Sequence, residues 1–254
     1  MSRRGRVDLD RTREHLEQAG LVHAAEQLEE LLEASNQAKD APHRFLDRLL
    51  DAEMSRREER RIRTSLRLSG LPVGQTLGNF DFAFQPSVDK SRVETLATCS
   101  WVREGATVLI QGPPGTGKTH LGVALGVKAV ENGFSVAFYR LDDLLHVMRQ
   151  DADVSPQRLR RKKYLNVSLL IIDEVGFQPM TRSEASLFFR MISYRYQKGS
   201  TLITTNKAVK NWPEILAGDE AMAAATLDRL LHKSHVFNIK GRSYRLRDLE
   251  ALLK

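Results

Sequence analysis

Eight residues, Gly112-Pro113-Pro114-Gly115-Thr116-Gly117-Lys118-Thr119, stand between the aliphatic run Val108-Leu109-Ile110 and a helix-like pattern that opens at Lys118. A Gly-rich turn joining a strand to a helix in this way leaves few folds open. Glycines let backbone N–H groups turn inward on a polyphosphate, the helix aims its positive end at the same anion, Lys118 reaches the outer phosphates, and Thr119 can ligand Mg²⁺. A strand-to-helix turn that merely happens to be Gly-rich is the plainer reading of the eight residues alone. The flanking strand and helix weigh against it.

A second site lies downstream. Leu169-Leu170-Ile171-Ile172-Asp173-Glu174 is a buried-strand pattern ending in two carboxylates, and buried carboxylates are costly unless they hold a metal or do chemistry. Asp173 would then orient the Mg²⁺ and Glu174 the attacking water. A third β-rich run, Ser200-Thr201-Leu202-Ile203-Thr204-Thr205-Asn206, ends in an amide that could touch the γ-phosphate or that water. Three such strand ends in this order define a nucleoside-triphosphatase with a glutamate base rather than a simple nucleotide-binding loop.

With 254 residues, 41% of them apolar, the chain allows one large globular domain plus an appendage. Cys99 is the only cysteine, which excludes a disulfide framework or a cysteine-rich zinc site within one chain and suits a reduced compartment. Its simplest role is that of a small buried side chain. Arg3, Arg4 and Arg6 have no apolar core region behind them, and no apolar run approaches membrane-spanning length, so the expected setting is cytoplasmic, with no membrane partner. A net charge of +7 and a pI near 9.6 favour a polyanionic partner, and composition alone does not choose between nucleic acid and lipid headgroups.

In chain order, apolar positions in residues 8–35 fall at three- and four-residue steps, a helical stretch expected to break near Gly20. Pro42 suits the first turn of the next helix, which carries Phe45, Leu46, Leu49, Leu50 and Met54 on one side. Ser69-Gly70-Leu71-Pro72-Val73-Gly74 ends the helical region. The expected division is therefore an N-terminal helical domain for DNA or a partner over 1–70, and a nucleotide domain over 71–254. Phe80, Phe82 and Phe84 would cover an apolar surface, either the adenine base or the underside of the domain. The spacing predicts one helix over 90–103, a helix from the phosphate loop to about Asn132, a strand at 135–139, and helices at 142–150 and 155–165. Thr181-Arg182-Ser183-Glu184 fits a capping box for a helix reaching about Gln197. A helix at 221–231, a strand at 236–239 and a final helical scrap ending at Lys254 complete a parallel sheet with helices on both faces.

Positive charge is concentrated. Residues 1 to 53 hold 8 Lys and Arg against 12 Asp and Glu, while residues 54 to 70 hold 6 against 2. Arg56, Arg60, Arg63 and Arg67 would share one helix face with Arg57 and Arg61 alongside, a stripe able to track a phosphate backbone. The bland reading pairs it with Glu53, Glu58 and Glu59 as a solvated face. Arg158, Arg160, Arg161, Lys162 and Lys163 form the second basic patch.

Residues 71 to 254 resemble an AAA+ ATPase. Three segments are similar, more narrowly, to the IstB-like transposition helpers and their DnaC/DnaI helicase-loader relatives: Leu71-Pro72 with Phe80-Asp81-Phe82, the block from 112 to 126, and Ile171-Ile172-Asp173-Glu174-Val175-Gly176. His120-Leu121 after Thr119 is typical of that group, as is the extra helical segment before the carboxylate strand, and the N-terminal helices resemble its appendage. The resemblance implies an α/β AAA+ P-loop NTPase with a parallel sheet flanked by helices, a reduced or absent lid, and a small all-helical N-terminal domain. It implies ATP held by residues 112–120, His120 included, between neighbouring subunits of a homo-oligomer. Lys118, Glu174 and Asn206 would be catalytic, as would Arg229 as an arginine finger reaching the next subunit, with Arg195 the second choice and Arg245 a possible second sensor. The implied role is an ATP-dependent helper that assembles on DNA with little sequence preference and recruits or stimulates a transposase. A DnaC/DnaI-type replicative helicase loader is the alternative. A non-enzymatic DNA-binding adaptor is the reading from another class, and intact Lys118, Asp173, Glu174 and Asn206 argue against it.

Overall fold

The computed structural model describes residues 3–246, with side chains in the first helix from residue 9 onward. The chain divides at Thr64/Ser65 into two compact units. The first is built from α1 (Arg3–Gln18), α2 (Val22–Ala38) and α3 (Pro42–Ser69), whose last residues belong to the second unit. The break near Gly20 is present, and Pro42 opens α3 as its missing N–H allows. Ala24 and Leu28 of α2 and Leu49 of α3 form a small core, with Leu9, Leu16, Leu31 and Phe45 around it. Glu53 of α3, 4% exposed, accepts the N–H groups of His23 and Ala24 at 2.8 and 3.0 Å and the Arg57 Nε–H at 2.8 Å. Those two amides are in the first turn of α2, where no intrahelical partner exists, so the carboxylate satisfies them and is itself repaid for burial.

The second unit runs α4 (Lys90–Ala97), α5 (Ser100–Arg103), β1 (Thr107–Gln111), α6 (Lys118–Glu131), β2 (Val136–Arg140), α7 (Leu141–Gln150), α8 (Pro156–Leu159), α9 (Lys163–Asn166), β3 (Leu169–Val175), α10 (Arg182–Arg195), β4 (Ser200–Thr205), α11 (Trp212–Ile215), α12 (Glu220–Leu231) and β5 (Ser234–Asn238). The five strands are parallel in the order β2-β3-β4-β1-β5. Leu109, Leu170, Ile172 and Ile203 face the layer of α7, α10 and α12. The opposite face takes α6, where Gly126 brings the helix so close that a Cβ there would meet Ile171 at 2.6 Å and Leu71 at 2.9 Å. Burial on both faces is why these strands read as unbroken aliphatic runs.

Two expected helices are each broken. Residues 90–103 form α4 and α5 because Cys99 adopts a left-handed φ of 61°, which turns Trp101 inward so that its indole N–H reaches the Leu96 carbonyl at 2.9 Å. Residues 155–165 form α8 and α9 because Lys162 is extended, which delivers Tyr164 and Leu165 to the core, where the Tyr164 hydroxyl donates to Asp151 at 3.2 Å. The final helical scrap lies mostly outside the described residues, which close on a 3₁₀ turn at Tyr244–Leu246. Among the described residues no helix is long and apolar enough to cross a membrane.

Candidate active site

The carboxyl ends of β1, β3 and β4 meet at one cavity of about 340 Å³, the place where parallel α/β sheets bind ligands. The phosphate loop forms one wall. Gly115 (φ 77°) and Gly117 (φ 89°) are left-handed, and both sites are also crowded: a Cβ on Gly115 would collide with the Ser243 side chain, and one on Gly117 would lie 2.9 Å from the Phe80 ring. The buried Thr116 hydroxyl donates to the Pro113 carbonyl at 2.8 Å, and the Lys118 ammonium reaches the same carbonyl at 2.7 Å. Burial pushes Lys118 below the ordinary lysine range; Asp173 opposes this, Arg245 adds to it, and Glu174 opposes it.

Asp173 and Glu174 would point to opposite faces in a regular strand. A register shift between Ile172 and Val175, with Glu174 at a left-handed φ of 61°, brings both to the site. The Thr119 hydroxyl lies 2.9 and 3.0 Å from the two oxygens of Asp173, which is 4% exposed. Thr204 joins the two carboxylate residues: its hydroxyl donates to Asp173 Oδ1 and accepts the Glu174 N–H at 3.1 Å. The Glu174 carboxylate is held by Arg140 at the end of β2, through Nε at 2.9 Å and a second, shorter bond from Nη2. That bond, first among the causes, raises the Arg140 pKa further.

Asn206 lines the cavity beside Glu174. Tyr244 and Arg245 line it from the segment after β5, which is tied to the loop by the Tyr244 N–H donating to the Gly115 carbonyl at 2.9 Å. His120 also lines the cavity, but its ring is engaged elsewhere: Nε2 lies 2.9 Å from both the Thr76 carbonyl and Asn79 Oδ1, with the ring edge-on to Phe80. Phe80 is 8% exposed and packs on the loop with Phe82, while Phe84 packs on Tyr244.

The remaining residues singled out from the sequence lie elsewhere. Arg229 on α12 is outside the cavity of its own chain, half-buried, donating to the Ala225 carbonyl at 2.7 Å with its guanidinium 5.0 Å from the Phe189 ring centre. It forms no ion pair with Asp228 or Glu220. Arg195 cannot act as a finger. It is 1% exposed, and its guanidinium donates to the carbonyls of Tyr164, Leu165, Val167 and Ser200.

The basic patches are thinner than their sequence suggests. Arg56 pairs with Glu59 at 3.2 Å, Arg61 with Glu58 at 2.6 Å, and Arg57 with Glu53 and the Gly20 carbonyl. Lys162 pairs with Asp151 at 2.5 Å, and Lys163 donates to the Leu68 carbonyl. Arg60, Arg63, Arg67, Arg158, Arg160 and Arg161 are exposed and form no ion pair among the described residues.

Sequence reasoning overlooked Thr204 and Arg140. A hydroxyl and a lone cation at the carboxyl ends of otherwise aliphatic parallel strands were the available signals.

The model of the IstB-like ATP binding protein family matches residues 14–251. A Pseudomonas aeruginosa protein named for ATP binding in insertion sequence IS21 is 41% identical over 228 residues, covering 90% of this chain and 86% of its own. A Geobacillus stearothermophilus protein named likewise for insertion sequence IS5376 is 36% identical, covering 94% and 95%. Among solved structures, the crystal structure of the DnaC helicase loader superposes with a TM-score of 0.50 at 22% identity, over 59% of this chain and 87% of that one.

Proposed function

The chain belongs to the IstB-like ATP-binding family, and from that premise we propose that it is the helper ATPase of a transposase, hydrolysing ATP to control its own assembly on DNA. It is a P-loop ATPase of AAA+ architecture. The observation that carries the mechanism is the contact of Thr119 with Asp173, with Glu174 and Asn206 in the same cavity.

In this reading the loop amides and Lys118 grip the polyphosphate of ATP. Thr119 and Asp173 would hold a magnesium ion, which needs few protein ligands. Among the described residues no group of three or more His, Cys, Asp or Glu offers another metal centre. When bound, the ion neutralises charge developing on the phosphates. Glu174 takes the proton of the attacking water once it leaves Arg140, and Asn206 orients that water. Arg245, which lines the cavity, meets the phosphates from the same chain in this reading. Arg229 serves a neighbouring copy's site, which its position outside the lining of its own cavity and the absence of an ion pair to it among the described residues support. Arg60, Arg63, Arg67, Arg158, Arg160 and Arg161 contact DNA phosphates, so affinity is sequence-tolerant and falls with salt.

Glu174→Gln tests this reading. The variant should bind ATP and DNA normally, lose turnover, and hold a transposase–DNA assembly that the wild type releases. Turnover at the wild-type rate would remove the base assignment, and turnover without any effect of DNA would remove the helper role.

A further inference from the structure

Three apolar side chains on α3 stand in solvent: Leu46 is 52% exposed, Leu50 38% and Met54 67%. Scattered apolar side chains on a surface are ordinary. These are spaced by four and lie along one helix face, next to the face that carries Leu49 and Glu53 into the small core. Residues 47, 51 and 58 flank the stripe one step further round the helix. Asp47 and Asp51 are exposed and form no ion pair among the described residues, while Glu58 is bonded to Arg61. Charge is also divided along the chain: residues 1 to 53 hold 8 Lys and Arg against 12 Asp and Glu, whereas residues 54 to 254 hold 31 against 20.

We infer that the Leu46-Leu50-Met54 stripe is a docking surface for a basic amphipathic helix of a protein partner; only the identification of that partner as the DNA-bound transposase rests on the helper reading. The spacing matches how an amphipathic helix is read, through anchors one turn apart. Two alternatives fit less well. A second copy would bring the same acidic rim against its own, and like charges across an interface are costly. DNA would meet Asp47 and Asp51 beside the stripe, and the arginines that continue its line, Arg57 and Arg61, are already bonded to Glu53 and Glu58. A helix with leucines on one side and lysines beside them satisfies both the stripe and the rim, and its attraction weakens with salt.

The test uses the full chain and a labelled Leu/Lys amphipathic peptide about 18 residues long, enough to hold a helix on docking, with a Leu/Glu peptide of the same pattern as control. Anisotropy should report binding of the Leu/Lys peptide alone. Leu50→Asp and Met54→Asp should each weaken it at least about tenfold, and the double variant Asp47→Lys/Asp51→Lys should transfer preference to the Leu/Glu peptide. All four positions are exposed, so the variants should melt as the wild type does and keep its ATP turnover in the absence of DNA.

Unchanged Leu/Lys binding in the Asp variants, or equal binding of both peptides by the wild type, would overturn the proposal. So would loss of self-association in sedimentation on Leu50→Asp, which assigns the stripe to a second copy, or loss of duplex DNA binding on the uncharged Leu50→Asn, which assigns it to DNA. Failure of the helper reading shows separately, as absent DNA-stimulated turnover in the wild type, and leaves the peptide arms to decide the surface.

Discussion

Replacing Thr204 by Val removes one hydroxyl and almost no volume. Thr204 is 1% exposed, donates to Asp173 and accepts the Glu174 N–H at 3.1 Å, so the change acts on both carboxylate residues at once. A hydrogen bond to a charged group contributes about 1.5–3 kcal/mol, and leaving the Glu174 N–H unpaired costs a further ~1–3 kcal/mol. If about 2 kcal/mol of that total positions the carboxylates for the transition state, turnover falls roughly 30-fold. The rest appears as a lower melting temperature. Lys118 and the loop amides are untouched, so nucleotide affinity should stay within a factor of about three. The assay is steady-state phosphate release, with a fluorescent ATP analogue for affinity and a thermal melt for stability. Thr204→Ser keeps the hydroxyl and should recover most of the rate. Turnover and melting temperature of Thr204→Val both at wild-type values would refute the claim that this hydroxyl organises the site.

Arg140→Ala should raise turnover in the absence of DNA roughly two- to fivefold by freeing Glu174; a fall, measured by the same phosphate release, would mean that Arg140 serves the reaction instead. Arg195→Met should cost at least about 3 kcal/mol in urea unfolding, because four buried carbonyls lose their donor. Burial has already brought the Arg195 pKa down to about 10, so the guanidinium is charged at neutral pH and its bonds are charge-assisted. For Glu53, burial acts to raise the pKa, but the Ala24 amide, the Arg57 guanidinium and the His23 amide outweigh it and hold the carboxyl below the ordinary 4.5. The stability it adds is present in full above that value and is lost as pH falls through the lower folded pKa. Glu53→Gln should therefore lower the melting temperature at pH 7 and flatten its decline on acidification, read by circular dichroism at several pH values.

The phosphate loop, the carboxylate strand and the strand ending at Asn206 were legible from the sequence because each depends on local order: a strand buried on both faces must be continuously apolar, and a polar residue at its carboxyl end stands out against that run. The capping box at Thr181 was legible for the same reason, since its two bonds join residues three apart. The breaks at Cys99 and Lys162 were not, because the residues that demand them, Trp101 and Tyr164, are satisfied by a helix carbonyl and by Asp151 only once the chain has turned. Spacing placed six arginines on α3 but could not tell which would be taken by Glu53, Glu58 and Glu59. Long charged side chains find their partners through space.

A parallel sheet whose strand ends gather a phosphate loop and two carboxylates follows from residue order alone, since a repeating apolar pattern and a Gly-rich turn dictate backbone geometry within a few residues. Packing in three dimensions set the rest: Thr204 bridges those carboxylates, Arg140 holds Glu174, Arg195 is buried, and Leu46, Leu50 and Met54 remain in solvent. Each of these depends on contacts between elements distant in the chain, or on their absence, and such contacts are set when the elements pack.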